Sequence, residues 1–166
     1  MTETGAGNSI AVGRDIQLSF ITKVWDATNK AQICTLSGHT HVVGFAAFSP
    51  DGARVATASW DETAKVWDAS TGKELFTLRG HKGCVGGVAF SPDGRYLATA
   101  SDDNTAKVWD GKTGKELLTL RGHAGYVPSV AFSPDGKRLA TASGYHGRWE
   151  IKVWDTTQWE EKRDGK

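Results

Sequence analysis

The chain repeats itself every 42 residues, and this period constrains its fold more than any other property. Trp25, Trp67 and Trp109 stand 42 residues apart, each followed by aspartate (Asp26, Asp68, Asp110), and a fourth pair, Trp154-Asp155, comes 45 residues later. Gly38-His39, Gly80-His81 and Gly122-His123 keep the same period, as does Ser-Pro-Asp-Gly at 49–52, 91–94 and 133–136. Between residues 72–101 and 114–143, 23 of 30 positions are identical. Identity of this order points to tandem duplication. A period in this range also implies units that bury their apolar faces only against their neighbours.

Between these markers the segments are short and β-like. One unit reads as Val85–Phe90, Tyr96–Ser101, Thr105–Trp109 and Lys115–Leu120, each of strand length. Ser-Pro-Asp-Gly joins the first two, with proline at a central turn position and glycine available for a positive φ. Asp102-Asp103-Asn104 and residues 111–114 supply the next two turns. Each repeat thus encodes a four-stranded antiparallel sheet with its strands in sequence order.

The Gly-His to Trp-Asp spacing, the Ser-Pro-Asp-Gly turn and the Ala-Thr-Ala-Ser to Lys-Val-Trp-Asp block resemble the WD-repeat β-propeller family over roughly residues 10–155. The resemblance implies an all-β fold of propeller blades, about four per chain. It also implies that a sequence repeat is offset from a blade, supplying the outer strand of one blade and the inner three of the next. The family's hydrogen-bonded tetrad maps onto His39, Ser59, Asp61 and Trp67, and onto His81, Ser101, Asp103 and Trp109. On this mapping the indole N–H donates to the serine hydroxyl, which reaches histidine, itself held by aspartate. A third set has His123, Ser143 and Trp154 but no aspartate at the turn, and the first unit lacks a Gly-His, so its tetrad is absent or rebuilt.

Ser, His and Asp are also the members of a hydrolase triad. A catalytic site needs one exposed nucleophile beside an oxyanion hole, whereas this trio recurs at the repeat period with tryptophan attached, so the structural role is preferred. A metal set of Cys34, His39 and His41 fits no standard zinc spacing and would compete with the tetrad for His39. Neither a cofactor nor catalysis is expected.

The ends of the array depart from the period. Leu139 to Trp154 spans three residues more than Leu97 to Trp109, and Ile10 to Trp25 matches the longer span, so the first and last units share a lengthened hairpin. By repeat alignment the first blade lacks its innermost strand and the last its outermost. Residues 156–166 read as a charged tail beyond a single array over 1–155. Propellers exist to eliminate open edges, and by resemblance these blades close as rings of seven or eight. Two identical chains cannot share seven blades equally, so a homodimer of eight blades is expected, with Thr2–Ser9 or Thr156–Glu160 as exchangeable strands. The long hairpins bring Ile16, Leu18, Phe20, Tyr145 and Trp149 to the expected chain junctions.

Composition narrows the function. The 166 residues carry 20 Lys and Arg against 19 Asp and Glu, a net charge of +1, too balanced to concentrate nucleic acid or anionic lipid. Residues 1–14 show no secretory pattern, no long apolar run suggests a membrane span, and Cys34 and Cys84 are too few for a disulfide framework, so a cytoplasmic location is expected. In the resembled family, partners dock on the face bearing the Gly-His loops. The matching positions are Trp60, Asp102 and Tyr126, with Val42 and Cys84 nearby and Arg79 and Arg121 on the rim. The expected function is a non-catalytic scaffold for a protein or peptide. The alternative is a fragment or regulatory module of a larger signalling protein or assembly.

Overall fold

The computed structural model describes residues 8–12, 20–145 and 147–159, and all its regular structure is β. Among these residues, fourteen strands form four antiparallel sheets. Blade 1 holds β1 (Asn8–Val12), β2 (Phe20–Asp26) and β3 (Gln32–His39). Blade 2 holds β4 (Val43–Phe48), β5 (Arg54–Ser59), β6 (Ala64–Asp68) and β7 (Glu74–Leu78). Blade 3 holds β8 (Val85–Phe90), β9 (Tyr96–Ser101), β10 (Ala106–Asp110) and β11 (Glu116–Leu120). Blade 4 holds β12 (Ser129–Phe132), β13 (Arg138–Tyr145) and β14 (Arg148–Asp155). The two complete blades are the interior ones. Among the described residues, blade 1 has no innermost strand and blade 4 no outermost one.

The turns follow from their residues. In Ser49-Pro50-Asp51-Gly52 the Gly52 amide donates to the Ser49 carbonyl at 2.8 Å, and the Ser49 hydroxyl donates to Asp51. Gly52 has φ 69° with open space around it, so the backbone angle alone demands glycine. The aspartate of Trp-Asp organises the outer turn. Asp68 accepts from the amides and hydroxyls of both Ser70 and Thr71. Those bonds, led by the Ser70 hydroxyl, hold its carboxyl down at about 2. In the same turn, a Cβ on Gly72 would come within 2.5 Å of the Thr35 carbonyl oxygen of blade 1, so glycine there permits the close approach of adjacent blades.

Three apolar clusters fill the three seams between blades. Val24 and Leu36 of blade 1 meet Val55 and Trp67 of blade 2. Ala56, Ala58 and Val66 of blade 2 meet Val85, Val88 and Trp109 of blade 3. Ala98, Ala106 and Val108 of blade 3 meet Val127, Val130 and Leu139 of blade 4. Arg54 adds a polar tie to the second seam, donating to the Gly111 carbonyl and lying over the Phe90 ring.

The array extends past Asp155. The Thr156 amide and hydroxyl donate to the carbonyls of Lys137 and Gly136, and Trp159 is buried edge-on against Tyr96 and Phe132. Residues 156–159 are therefore part of the blade 3–blade 4 seam, and the boundary expected at 155 moves outward. The apolar indole drives this: one tryptophan outweighs the charge of its neighbours. Ser9 pairs with Trp25 inside blade 1. The described parts of both segments expected to exchange are thus engaged within the chain. Among the described residues, no helix is long and apolar enough to cross a membrane.

Candidate functional site

The repeated polar residues form a buried relay, with one substitution against expectation. His39 Nδ1 lies 2.7 Å from Asp61, its Nε2 lies 2.8 Å from the Thr57 hydroxyl, and the Trp67 indole donates to that same hydroxyl at 2.8 Å. Blade 3 repeats this with His81, Asp103, Thr99 and Trp109. The hydroxyl in the relay is thus threonine, two residues before the expected serine. Both positions face the same side of the strand, but Trp67 sits opposite Val55, and from there its indole N–H reaches Thr57 rather than Ser59. Ser59, Ser101 and Ser143 instead donate to the carbonyls of His41, Gly83 and Gly125. The Ser59 and Ser101 oxygens also accept the amides of Asp61 and Asp103. The serines therefore clip the strand end to the neighbouring loop.

Donor and acceptor counting fixes the protonation. The indole can only donate, so the threonine hydroxyl gives its hydrogen to Nε2, its nearer acceptor at 2.8 Å against 3.5 Å from Thr57 to the Lys65 carbonyl, and Nδ1–H donates to an ionised aspartate. Burial pushes the His39 and His81 pKa below the ordinary histidine value against the opposing pull of Asp61 and Asp103, which fits a neutral ring. Asp103 is pushed up by burial, but bonds from Thr105, Lys82 and His81 outweigh this and leave it at about 2. Each threonine oxygen is buried beneath an indole and already bonded twice, so no attacking position is open to a substrate.

In blade 4 the missing aspartate is replaced by a residue not foreseen. Glu150 lies 2.8 Å from His123 Nδ1, while Thr141 takes His123 Nε2 at 2.7 Å and the Trp154 indole at 2.9 Å. The lengthened hairpin carries the turn away from His123, and a carboxylate on β14 takes its place. Glu150 is the only carboxylate between Ser143 and Trp154, which was the available sequence clue.

On the face of the Gly-His loops, Trp60 and Tyr126 are exposed by 49% and 45%, with Asp102, Arg79 and Arg121 also exposed. Equivalent backbone bonds place them: the Trp60 amide donates to Val42, the Asp102 amide to Cys84, and Gly144 to Tyr126. Rings link the first two blades. Phe20 stacks on His41 with centroids 5.4 Å apart, and His41 on Trp60 at 5.7 Å. Phe20, expected at a chain junction, is thus engaged inside the chain. Arg121 borders a cleft of about 120 Å³ with Lys82, Asp103 and Lys107. Of the other junction residues, Trp149 is exposed and lies over Gly144, where a Cβ would meet its ring at 2.7 Å. Ile16 and Leu18 lie outside the described residues, as does the Tyr145 side chain.

Two further residues that sequence reasoning overlooked lie on β14. Ile151 and Val153 are 72% and 61% exposed, whereas their repeat equivalents Ala106 and Val108 are buried at 1% and 0%. That face of a blade is covered by the next blade in both interior seams.

The family profile described as "WD domain, G-beta repeat" matches residues 30–68, 72–110 and 114–155. The chain belongs to the WD40 family. Each matched unit begins in or beside the outermost strand of one blade and ends on the Trp-Asp strand of the next, the offset expected of WD40 repeats. A segment of 60 residues is 37% identical to the guanine nucleotide-binding protein subunit beta of Schizosaccharomyces pombe, covering 33% of this chain. The match spans 20% of that curated relative's own length.

Proposed function

We propose that this WD40 chain is a non-catalytic, cytoplasmic interaction scaffold, and that two copies join end to end into a ring of eight blades. The exposed Ile151–Val153 face carries the reading. In blades 2 and 3 the same positions lie under the next blade, and covering an aliphatic side chain of this size contributes about 2 kcal/mol. A second copy offers the matching surface at its blade 1, where Trp25 is only half-buried while Trp67 and Trp109 are fully so. Closed two-fold symmetry then uses both ends of both chains. The partner-binding surface is the face bearing Trp60, Tyr126, Asp102, Arg79 and Arg121, whose aromatic and arginine side chains are those that anchor protein interfaces. Similarity to a protein named as a subunit supports a role within an assembly. The same similarity favours the second reading, a propeller portion of a larger signalling assembly.

Light scattering on the purified chain tests the ring. The expected mass is twice 17.8 kDa, reduced to the single value by Val153→Lys. A wild-type mass of one chain across the micromolar range would overturn the dimer.

A further inference from the structure

The outer edge of blade 4 carries a second unfinished feature, independent of the exposed face. In the interior blades the central lysine of the Trp-Asp strand is buried and held by the outermost strand. Lys65 Nζ donates to Glu74 at 2.8 Å and to Thr77 at 2.9 Å, and Lys107 Nζ donates to Glu116 and Thr119 at the same distances. The register is shared. Thr77 and Thr119 sit opposite Lys65 and Lys107, Glu74 and Glu116 opposite Trp67 and Trp109, and Leu78 and Leu120 opposite Ala64 and Ala106. Each outer strand therefore reads Glu-Leu-apolar-Thr-Leu.

Lys152 holds the equivalent place on β14. Its Cε lies 3.9 Å from the Cβ position of Gly122, as the Cε atoms of Lys65 and Lys107 lie 3.8 Å from those of Gly38 and Gly80. At Gly38 and Gly80 the Glu74 and Glu116 carboxylates stand at 3.3 and 3.2 Å from the same point, whereas at Gly122 Lys152 alone comes within contact distance among the described residues. Lys152 instead pairs with Glu150 on its own strand and is part-exposed. The chain leaves β14 through Thr156, which turns toward Gly136 and Lys137 rather than back along the edge.

We infer that the outer edge of β14 accepts an antiparallel strand of the pattern Glu-x-apolar-Thr-apolar from an extended segment of a partner protein. Main-chain bonds to the edge would supply affinity, and the Lys152 contacts to the acid and threonine would supply selectivity. An edge lysine also discourages pairing with strands that bring no acid, so one residue both guards the edge and chooses its occupant. This site is distinct from the Ile151–Val153 face, since adding an outer strand extends the blade without occupying the seam.

The test is fluorescence anisotropy of the full chain with a labelled octapeptide, Gly-Lys-Glu-Leu-Leu-Thr-Leu-Arg, the sequence of residues 114–121. Saturable binding is expected. N-methylation of the amide paired with β14 and Lys152→Glu should each weaken it at least tenfold. A peptide carrying lysine in place of its glutamate should regain binding to Lys152→Glu, whose thermal melt, lowered by the second carboxylate beside Glu150, should remain a single cooperative transition. Equal binding of a scrambled or N-methylated peptide, no saturable binding, or no recovery on charge exchange would each overturn the inference. Mass measured on the same samples separates this result from the dimer. Peptide binding to a monomer sustains the strand site and sinks the ring, whereas a dimer that ignores the peptide does the reverse.

Discussion

In blade 3 the relay histidine is held by Asp103 at the tip of a tight turn; in blade 4 it is held by Glu150 from the middle of a strand. The side chain of Asp103 is 12% exposed and that of Glu150 48%. The threonine and tryptophan bonds are the same length within 0.1 Å in the two blades. Nearly identical sequence thus builds the same local relay, while burial depends on the strands around it: β11 flanks the Trp-Asp strand of blade 3, and among the described residues β14 has no such neighbour on its outer side. Geometry is a property of the repeat, and energetic weight depends on place in the array.

The largest expected effect follows from that separation. Trp109 is buried and Trp154 only partly so, although each donates to a relay threonine. Trp109→Ala should cost about 4 kcal/mol of unfolding free energy and Trp154→Ala about 2 kcal/mol, read from urea unfolding. Equal losses would mean that the end blade is as covered as the interior one.

Next comes the identity of the relay hydroxyl. Thr99→Val keeps shape but strands the Trp109 indole and His81 Nε2, for a cost of about 3 kcal/mol. Ser101→Ala removes bonds from a buried serine to Gly83 and Asp103, both only part-buried, for about 1 kcal/mol. A larger loss from the serine would restore the order expected from sequence alone.

That reversal marks where sequence reading stops. Strands such as Val85–Phe90 and Tyr96–Ser101 were legible because turn residues and the period locate them. Thr99 and Ser101 are two hydroxyls on one face of one strand, and choosing between them requires the register of Trp109 against Leu97. Glu150 was hidden because it occupies the position held by Thr105 in blade 3. Trp159 was hidden because one tryptophan outside the period, beside charges, carries no repeat signal. The exposure of Ile151 and Val153 depends on what packs against them, which repeat alignment treats as constant.

Acid should loosen the interior relays in two stages. Histidines whose folded pKa is depressed contribute stability at neutral pH that is lost as pH falls below about 6.5, the ordinary unfolded value, toward the lower folded one. Asp103, at about 2 in the fold, adds stability that is lost later, as pH drops from about 3.9 toward that value. The melting temperature should therefore begin to fall below about pH 6.5, and the double variant His39→Gln/His81→Gln should be less stable at pH 7 but flatter from there to pH 5. A wild-type melting temperature constant across that interval would contradict the neutral relay.

The smallest effect returns to the two carboxylates. Glu150 shares its charge between Lys152 and His123 on an exposed strand, and these contacts, Lys152 first, hold its pKa below the ordinary glutamate value. Asp103 is closed over by four bonds, from His81, the Lys82 and Thr105 amides and the Thr105 hydroxyl. Solvent screening weakens the first arrangement and hardly touches the second. Glu150→Gln should thus lower the melting temperature less than Asp103→Asn, and added salt should shrink the Glu150 difference while leaving the Asp103 difference nearly intact. If instead Glu150→Gln proved as costly and as salt-insensitive as Asp103→Asn, the edge of blade 4 would be covered in solution. Adding the strand peptide to Glu150→Gln would then show which surface covers it, because only an occupied outer edge would make the variant indifferent to peptide.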